Sequence, residues 1–300
     1  SLIFLEDLNF EIDKIFNLKY RSLHYTLVIG FGILIAIQML REGVRSNDYY
    51  QLGQRPLALG IAGDSGTGKS TFSSSIASLF GKHSTLEISG DDYHNWDRKS
   101  PMWNMQTHLN PKSNRLFDMV RDVRKLLSDN AVYARSYDHA TGRFLPPKMR
   151  KSSDVILITG LHALYSKQLR EELDVQIYMD MDTEFQVYLK MHRDTKERGQ
   201  KKETVEEIIS RRQPDYKRFI QPQAERADVV FSLIPVNPDL INKKIEDLNL
   251  KVRALIRNGI YYDELVRILI GVCGLHVNIE SIDEKGEVVI EISGDLASED

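Results

Sequence analysis

Cysteine is almost absent from this 300-residue chain: Cys273 is the only one. Its isolation excludes an internal disulfide and any cysteine-rich zinc site, and favours a reducing compartment. Lying in an apolar run, it reads as a small core residue. An excess of either charge is also lacking. Forty Lys and Arg meet 43 Asp and Glu, a net charge of −3 with the two signs interspersed. There is thus no basic field for a nucleic acid and no like-charged tail, and the expected partner is a small molecule. Internal repeats and low-complexity tracts are missing. A single long hydrophobic run stands out, at residues 25–40, uncharged and bracketed by Arg21 and His24 before it and Arg41 and Arg45 after it. A membrane span wants about 20 apolar residues and a buried helix fewer; this run falls between, so a membrane anchor and a buried or interfacial helix both stand as readings.

What the chain does have is a glycine-rich loop. Gly63-Asp64-Ser65-Gly66-Thr67-Gly68-Lys69-Ser70 satisfies G-x-x-x-x-G-K-[ST] at every fixed position. A strand-like run at 57–61 precedes it and a helix-compatible run at 71–80 follows. Loops of this kind bind nucleotide phosphates. Backbone N–H groups along Gly63 to Thr71 turn inward on the β-phosphate, the helix N-terminus adds positive potential, Lys69 reaches the β/γ oxygens and Ser70 ligates Mg²⁺. ATP and Mg²⁺ are the expected cofactors. If residues 25–40 anchor the chain, the ATP-using domain belongs on the cytoplasmic side, with the flank at Arg41 to Arg45.

Three segments are expected: 1–54, helical and apolar; 55–236, the nucleotide-binding domain; and 237–300, a small α+β appendage for packing or homo-oligomerisation. In the middle segment, short runs rich in β-branched residues at 57–61, 86–89, 155–159, 175–179 and 229–233 alternate with amphipathic helical stretches. That pattern predicts a doubly wound, mostly parallel α/β sheet. Ligands of such sheets sit at the carboxyl ends of the strands.

The second strand runs into Gly90-Asp91-Asp92-Tyr93-His94-Asn95-Trp96-Asp97-Arg98. A carboxylate therefore emerges beside the phosphate loop, where an acceptor hydroxyl would sit. In phosphoryl transfer one carboxylate typically takes the acceptor proton. Asp91 is the candidate base, and Asp92 its reserve or a magnesium partner. Residues 183–198 read as a helix, with Thr183 and Gln186 spaced as a capping box and Gly199 as its stop. Phe185, Tyr188, Leu189 and His192 make one face. Lys190, Arg193, Asp194 and Arg198 make the other, which could be a solvated surface or a grip on phosphate oxygens. Thr204 and Glu207 form a second capping-box pair, and Pro214 and Pro222 bracket a basic segment that reads as either a lid or a plain helix–loop–helix connection.

Taken together, GDSGTGKST, GDDYHNWDR, YDHATGRFLPP, ITGLHALY, KMHRDTKERG and DYKRFIQPQAERADVVF resemble, in order and spacing, the phosphoribulokinase and uridine kinase family, looking nearest to phosphoribulokinases of plant and cyanobacterial type. The resemblance covers residues 57–235. It implies that Asp91 deprotonates the acceptor hydroxyl and that His94 and Arg98 contact a sugar phosphate. It implies further that Lys190, Arg193 and Arg198 bind substrate phosphate and transition-state charge, that Asp194 is catalytic, and that Tyr137, His139 and His162 lie along the acceptor edge.

Two positions depart from the family. Thr159 stands where a metal-holding Glu is common, so that Asp91 and Asp92 take over the metal, or turnover is slow, or the chain only binds ATP. Thr67 occupies the place of the plant-type regulatory cysteine, which excludes an intrachain thiol switch. The leading expectation is an ATP-dependent kinase acting on a hydroxyl of a sugar or sugar phosphate. A uridine or nucleoside kinase, and a catalytically weak ATP-binding regulatory module of a membrane-associated protein, are the alternatives.

Overall fold

The structure, a computed structural model, describes residues 55–192, 194–195, 199, 201–241, 250–257, 266–267, 270, 276–282 and 287–293. The apolar run at 25–40 lies outside the described residues, as do Arg193, Arg198 and Cys273. Among the described residues no helix is long and apolar enough to cross a membrane.

The elements in chain order are β1 (Leu57–Gly63), α1 (Lys69–Phe80), β2 (Thr85–Ser89), α2 (Leu116–Leu127), β3 (Val132–Asp138), β4 (Arg143–Arg150), β5 (Val155–Gly160), α3 (Lys167–Arg170), β6 (Val175–Met181), α4 (Thr183–His192), α5 (Lys202–Asp215), β7 (Val229–Pro235), β8 (Leu250–Ile256), β9 (His276–Ile282) and β10 (Val288–Ser293). Eight strands form one sheet in the order β2-β5-β1-β6-β7-β8-β10-β9, and β3 and β4 pair separately. The first five are parallel to one another. Every residue of β1 is buried, as a central strand covered on both faces requires. Leu57, Leu59 and Ile61 pack with Phe72 and Ile76 of α1 on one face, and Ala58 and Ala62 join Ile156 and Ile158 on the other. The chain leaves β1 for β2 on one side and later reaches β6 on the other. The carboxyl ends of β1 and β5 therefore frame the point where the winding reverses, which is where such sheets bind ligands.

The last three strands are not a separate appendage. β8 pairs antiparallel with β7, and β10 and β9 continue the same sheet. Val252, Ala254, Ile256, Val288, Ile290 and Ile292 share one core cluster with β1. Their alternation with Lys251 and Arg253, which pair with Glu291 and Glu280 at 2.8 Å on the outer face, is a one-sided strand pattern. By covering the edge that β7 would otherwise expose, they protect it from unwanted pairing.

The hairpin β3–β4 was hidden by Pro146 and Pro147, which lie inside β4. A strand paired along one side tolerates proline. Two expected helix caps also move. The side chain of Asp182, not Thr183, accepts from the Phe185 N–H at 3.0 Å, and Thr204 lies within α5, which starts at Lys202. Pro214 sits inside α5, and a π-helical turn at Tyr216–Ile220 follows directly, so this stretch is a continuous irregular helix rather than helix–loop–helix.

The hairpin is tied to the sheet by a buried ion pair. Asp92 accepts from Arg150 at 2.7 Å and from the Tyr137 N–H at 2.7 Å, with side-chain exposures of 6% for Asp92 and 14% for Arg150. Removing one partner strands a buried charge, so Arg150→Met is expected to lower stability by about 3–5 kcal/mol. Asp92→Asn added to that variant should recover part of the loss, which urea unfolding of the wild type, the two single variants and the double variant would measure.

Candidate active site

The phosphate loop joins β1 to α1. Gly63 has φ 147°, and a Cβ there would lie 2.3 Å from the Met179 carbonyl oxygen, so no larger residue fits. Thr67 folds back on the loop, its hydroxyl donating to the Asp64 carbonyl at 2.9 Å. The Lys69 ammonium donates to that same carbonyl at 2.5 Å. Burial lowers the Lys69 pKa to about 8, against the opposing pull of Asp64 and Asp91. The Asp64 carboxylate braces the loop from outside: it accepts from the Ser65 N–H at 2.7 Å, from Arg212 of α5 at 2.9 Å and from Gln186 of α4 at 3.2 Å. Gln186 also reaches the Ser65 carbonyl at 3.3 Å. Ser70 and Thr71 are exposed in the first turn of α1.

The second half of the site is built from the turn after β2. Gly90 and Gly160 meet closely, with a Cβ on Gly160 only 3.0 Å from the Gly90 Cα. This close approach lets the turn cross over the end of β5. Ser89 caps the turn by accepting from the Asp91 N–H at 3.3 Å. Asp91 and Asp92 then diverge. Asp91 remains partly exposed, with His94 Nε2 at 3.2 Å from one oxygen and His139 Nε2 at 3.4 Å from the other. Burial works against its charge, yet the His94 hydrogen bond together with the fields of His94, His139 and Lys69 holds its carboxyl well below the usual range. His94 is itself fixed through Nδ1 by Asn114 Oδ1 at 2.6 Å. Arg98 donates to the His139 carbonyl at 2.6 Å, binding the hairpin to this turn.

Several expected residues therefore meet: Lys69, Asp91, His94, Arg98, Tyr137 and His139 converge at the carboxyl edge of the sheet. Two do not take their expected roles. Asp92 turns inward and spends its oxygens on Arg150 and Tyr137, so it is neither a reserve base nor a magnesium partner. His162 is 4% exposed, and its Nε2 lies 3.0 Å from the Leu109 carbonyl while its ring meets Tyr165 edge-on, so it is a packing residue rather than a substrate contact. Burial lowers its pKa to about 4. Lys190 lies in the last turn of α4 and Asp194 is buried just beyond it.

Sequence reasoning missed Gln186 and Arg212, which brace the loop from two helices, and His108, which stacks on Trp103 with ring centroids 3.7 Å apart. Burial and the charges of His94 and Arg212 lower the His108 pKa to about 3, so it is neutral. Arg212 is mostly buried, and its Nε has no hydrogen-bond partner, leaving a donor to spare. Only the position of α5 over the loop reveals this.

The residues present fit a magnesium nucleotide: an open glycine loop, a lysine at its base and an exposed Ser70 at the helix start. Among the described residues no group of three His, Cys, Asp or Glu could hold a metal by itself. Magnesium bound here would take most of its ligands from phosphate and water, its usual habit.

Comparison with known proteins agrees with this geometry. The model of the phosphoribulokinase / uridine kinase family matches residues 58–238. A phosphoribulokinase of Synechocystis sp. is 36% identical over 210 residues, covering 70% of this chain and 62% of that protein. The chloroplastic phosphoribulokinase of Spinacia oleracea is 34% identical, covering 70% of this chain and 56% of that one. This chain thus spans less than two thirds of either relative. A uridine kinase of Staphylococcus aureus is 31% identical, covering 63% of this chain and 95% of the other. In three dimensions a phosphoribulokinase from Rhodobacter spheroides superposes with a TM-score of 0.59 at 21% identity, covering 79% of this chain and 90% of that one, a likeness of fold. Its motifs, its sheet and these matches agree: the chain belongs to the phosphoribulokinase / uridine kinase family.

Proposed function

We propose that the chain is an ATP-dependent kinase that transfers the γ-phosphate to a hydroxyl of a sugar phosphate. One observation carries this reading: Asp91 is held charged between His94 and His139, within the field of the phosphate-loop Lys69. A carboxylate so placed accepts the proton of an incoming hydroxyl. Its low pKa makes it a modest base, which suits a reaction in which positioning and charge neutralisation do most of the catalysis. Lys69, moved off the Asp64 carbonyl, neutralises β/γ oxygens, while Arg98 and Arg212 are the cations at hand for the acceptor's phosphate. Lys190 and the basic positions Arg193 and Arg198 are assigned the same task, and Asp194 a catalytic one, by the family pattern. Ser70 would hold a magnesium ion together with the nucleotide, and that ion would supply Lewis-acid charge at the transferring phosphoryl group. The uridine kinase relative, nearly all of whose length this chain matches, supports a nucleoside acceptor as the second reading.

Following ADP release with ribulose 5-phosphate, other pentose and heptose phosphates and uridine tests the proposal. A sugar phosphate should stimulate turnover, and Asp91→Asn should lower kcat by about 10²–10⁴-fold while leaving ATP affinity unchanged. Stimulation by uridine alone would select the second reading. Nucleotide binding with no stimulation by any acceptor would leave a binding module.

Lys69 adds a pH signature. Its pKa of about 8 lies below the ordinary 10.5, and contact with phosphate raises it. ADP binding should therefore take up a proton above about pH 8 and none from Lys69 well below it. Calorimetry in two buffers of different ionisation enthalpy reads this directly, and Lys69→Met should abolish the uptake.

A further inference from the structure

In nucleotide-binding loops of this kind the magnesium is held by the loop's Ser or Thr and by a carboxylate at the end of a neighbouring strand. Here β5 and β6 both flank β1; on the face that β1 shares with α1, β5 ends at Thr159-Gly160 and β6 at Met181, neither bringing a charge of its own, while Asp180 of β6 alternates to the other face. The hydroxyl of Thr159 is nevertheless not isolated. Its Oγ1 donates to Glu87 Oε1 at 3.0 Å. Thr159 is 7% exposed, whereas Glu87 is exposed on the edge strand β2.

Strand alternation fixes which face this pair occupies. Glu87 lies opposite Leu157, and Leu157 packs with Phe72 and Ile76 of α1. Thr159, two residues beyond Leu157, shares that face. It is the face covered by α1, which packs on β5, β1 and β2 and begins with Lys69 and Ser70. The Glu87 carboxylate thus reaches along the sheet toward its carboxyl edge, on the side from which the phosphate loop rises.

We propose that Glu87, acting through Thr159, provides the strand-end negative charge for the magnesium of a bound nucleotide. A hydroxyl that has given its proton to a carboxylate presents its lone pairs outward, polarised by that charge. A metal-bound water can donate to those lone pairs, so the charge enters the metal's water shell one residue removed from its source. Glu87 is then a positioning residue. Ser70 would remain the side chain that holds the ion. The inference rests on the reading that the chain binds a magnesium nucleotide.

Mn²⁺ binding to the protein–ADP complex, followed by its electron paramagnetic resonance, separates the two ideas. Glu87→Gln should weaken Mn²⁺ binding about 10- to 100-fold, the effect expected of an outer-shell partner, while ADP affinity without metal stays unchanged. Glu87→Asp should retain part of the wild-type affinity. Thr159→Glu placed in the Glu87→Gln background should restore it by moving the charge to β5. Wild-type Mn²⁺ affinity in Glu87→Gln would overturn the inference and leave the kinase reading intact. Loss of metal-free ADP binding in that variant would assign Glu87 to packing and also overturn it. A wild-type chain that failed to bind ADP would overturn both.

Discussion

Burying a carboxylate costs several kcal/mol unless its oxygens are satisfied, and at Asp92 both are taken, by Arg150 and by the N–H of Tyr137. The geometry around Asp91 follows from that pairing. Arg150 and Tyr137 belong to the two strands of the hairpin, so the pair docks β3–β4 against the turn that follows β2. Arg150 also donates to the Ser136 hydroxyl at 2.8 Å, and Arg135 donates to the Asp92 and His94 carbonyls from the same hairpin. Once the hairpin is docked, His139 is brought to one side of Asp91, while the turn's own His94 takes the other. The buried acid of the Asp91-Asp92 pair holds the frame, and its neighbour stays at the sheet edge between two histidines.

The nucleotide side is braced in a different way. Asp64 joins the loop to α4 through Gln186 and to α5 through Arg212, so three elements separated in sequence hold one turn of backbone. Lys69 rests on the Asp64 carbonyl within this brace, and burial makes its charge expensive there. A bound polyphosphate offers that ammonium a better partner than a neutral carbonyl does.

The parallel half of the sheet and the phosphate loop were legible because both are local. A strand buried on both faces reads as a continuous apolar run, and a glycine loop has a fixed spacing. Asp91 was legible from its place at the end of β2. What local pattern could not supply was pairing at a distance. Asp92 and Asp91 are adjacent and chemically identical, and partners distant in sequence distinguish them: Arg150, 58 positions away, and Tyr137 hold Asp92, while His139 approaches Asp91. His162 looked like a site residue until Leu109 and Tyr165 enclosed it. The strands β8 to β10 alternated clearly, yet nothing in their own pattern said that β7 was their neighbour. Gln186 looked like half of a capping box, but Asp182 capped α4 and Gln186 was free to reach the loop.

These constraints converge on the state of a single carboxyl group, so the most direct test is to titrate it. The side-chain carbon of Asp91, followed by NMR in the unliganded protein and assigned with Asp91→Asn, should titrate well below the ordinary carboxylate range. His94→Gln should move it upward, because burial opposes the charge and the hydrogen bond and field of His94, which with His139 and Lys69 overcome it, are gone. An ordinary titration unmoved by that substitution would contradict the account, since Asp91 would then lie outside the site that Lys69, His94 and His139 define.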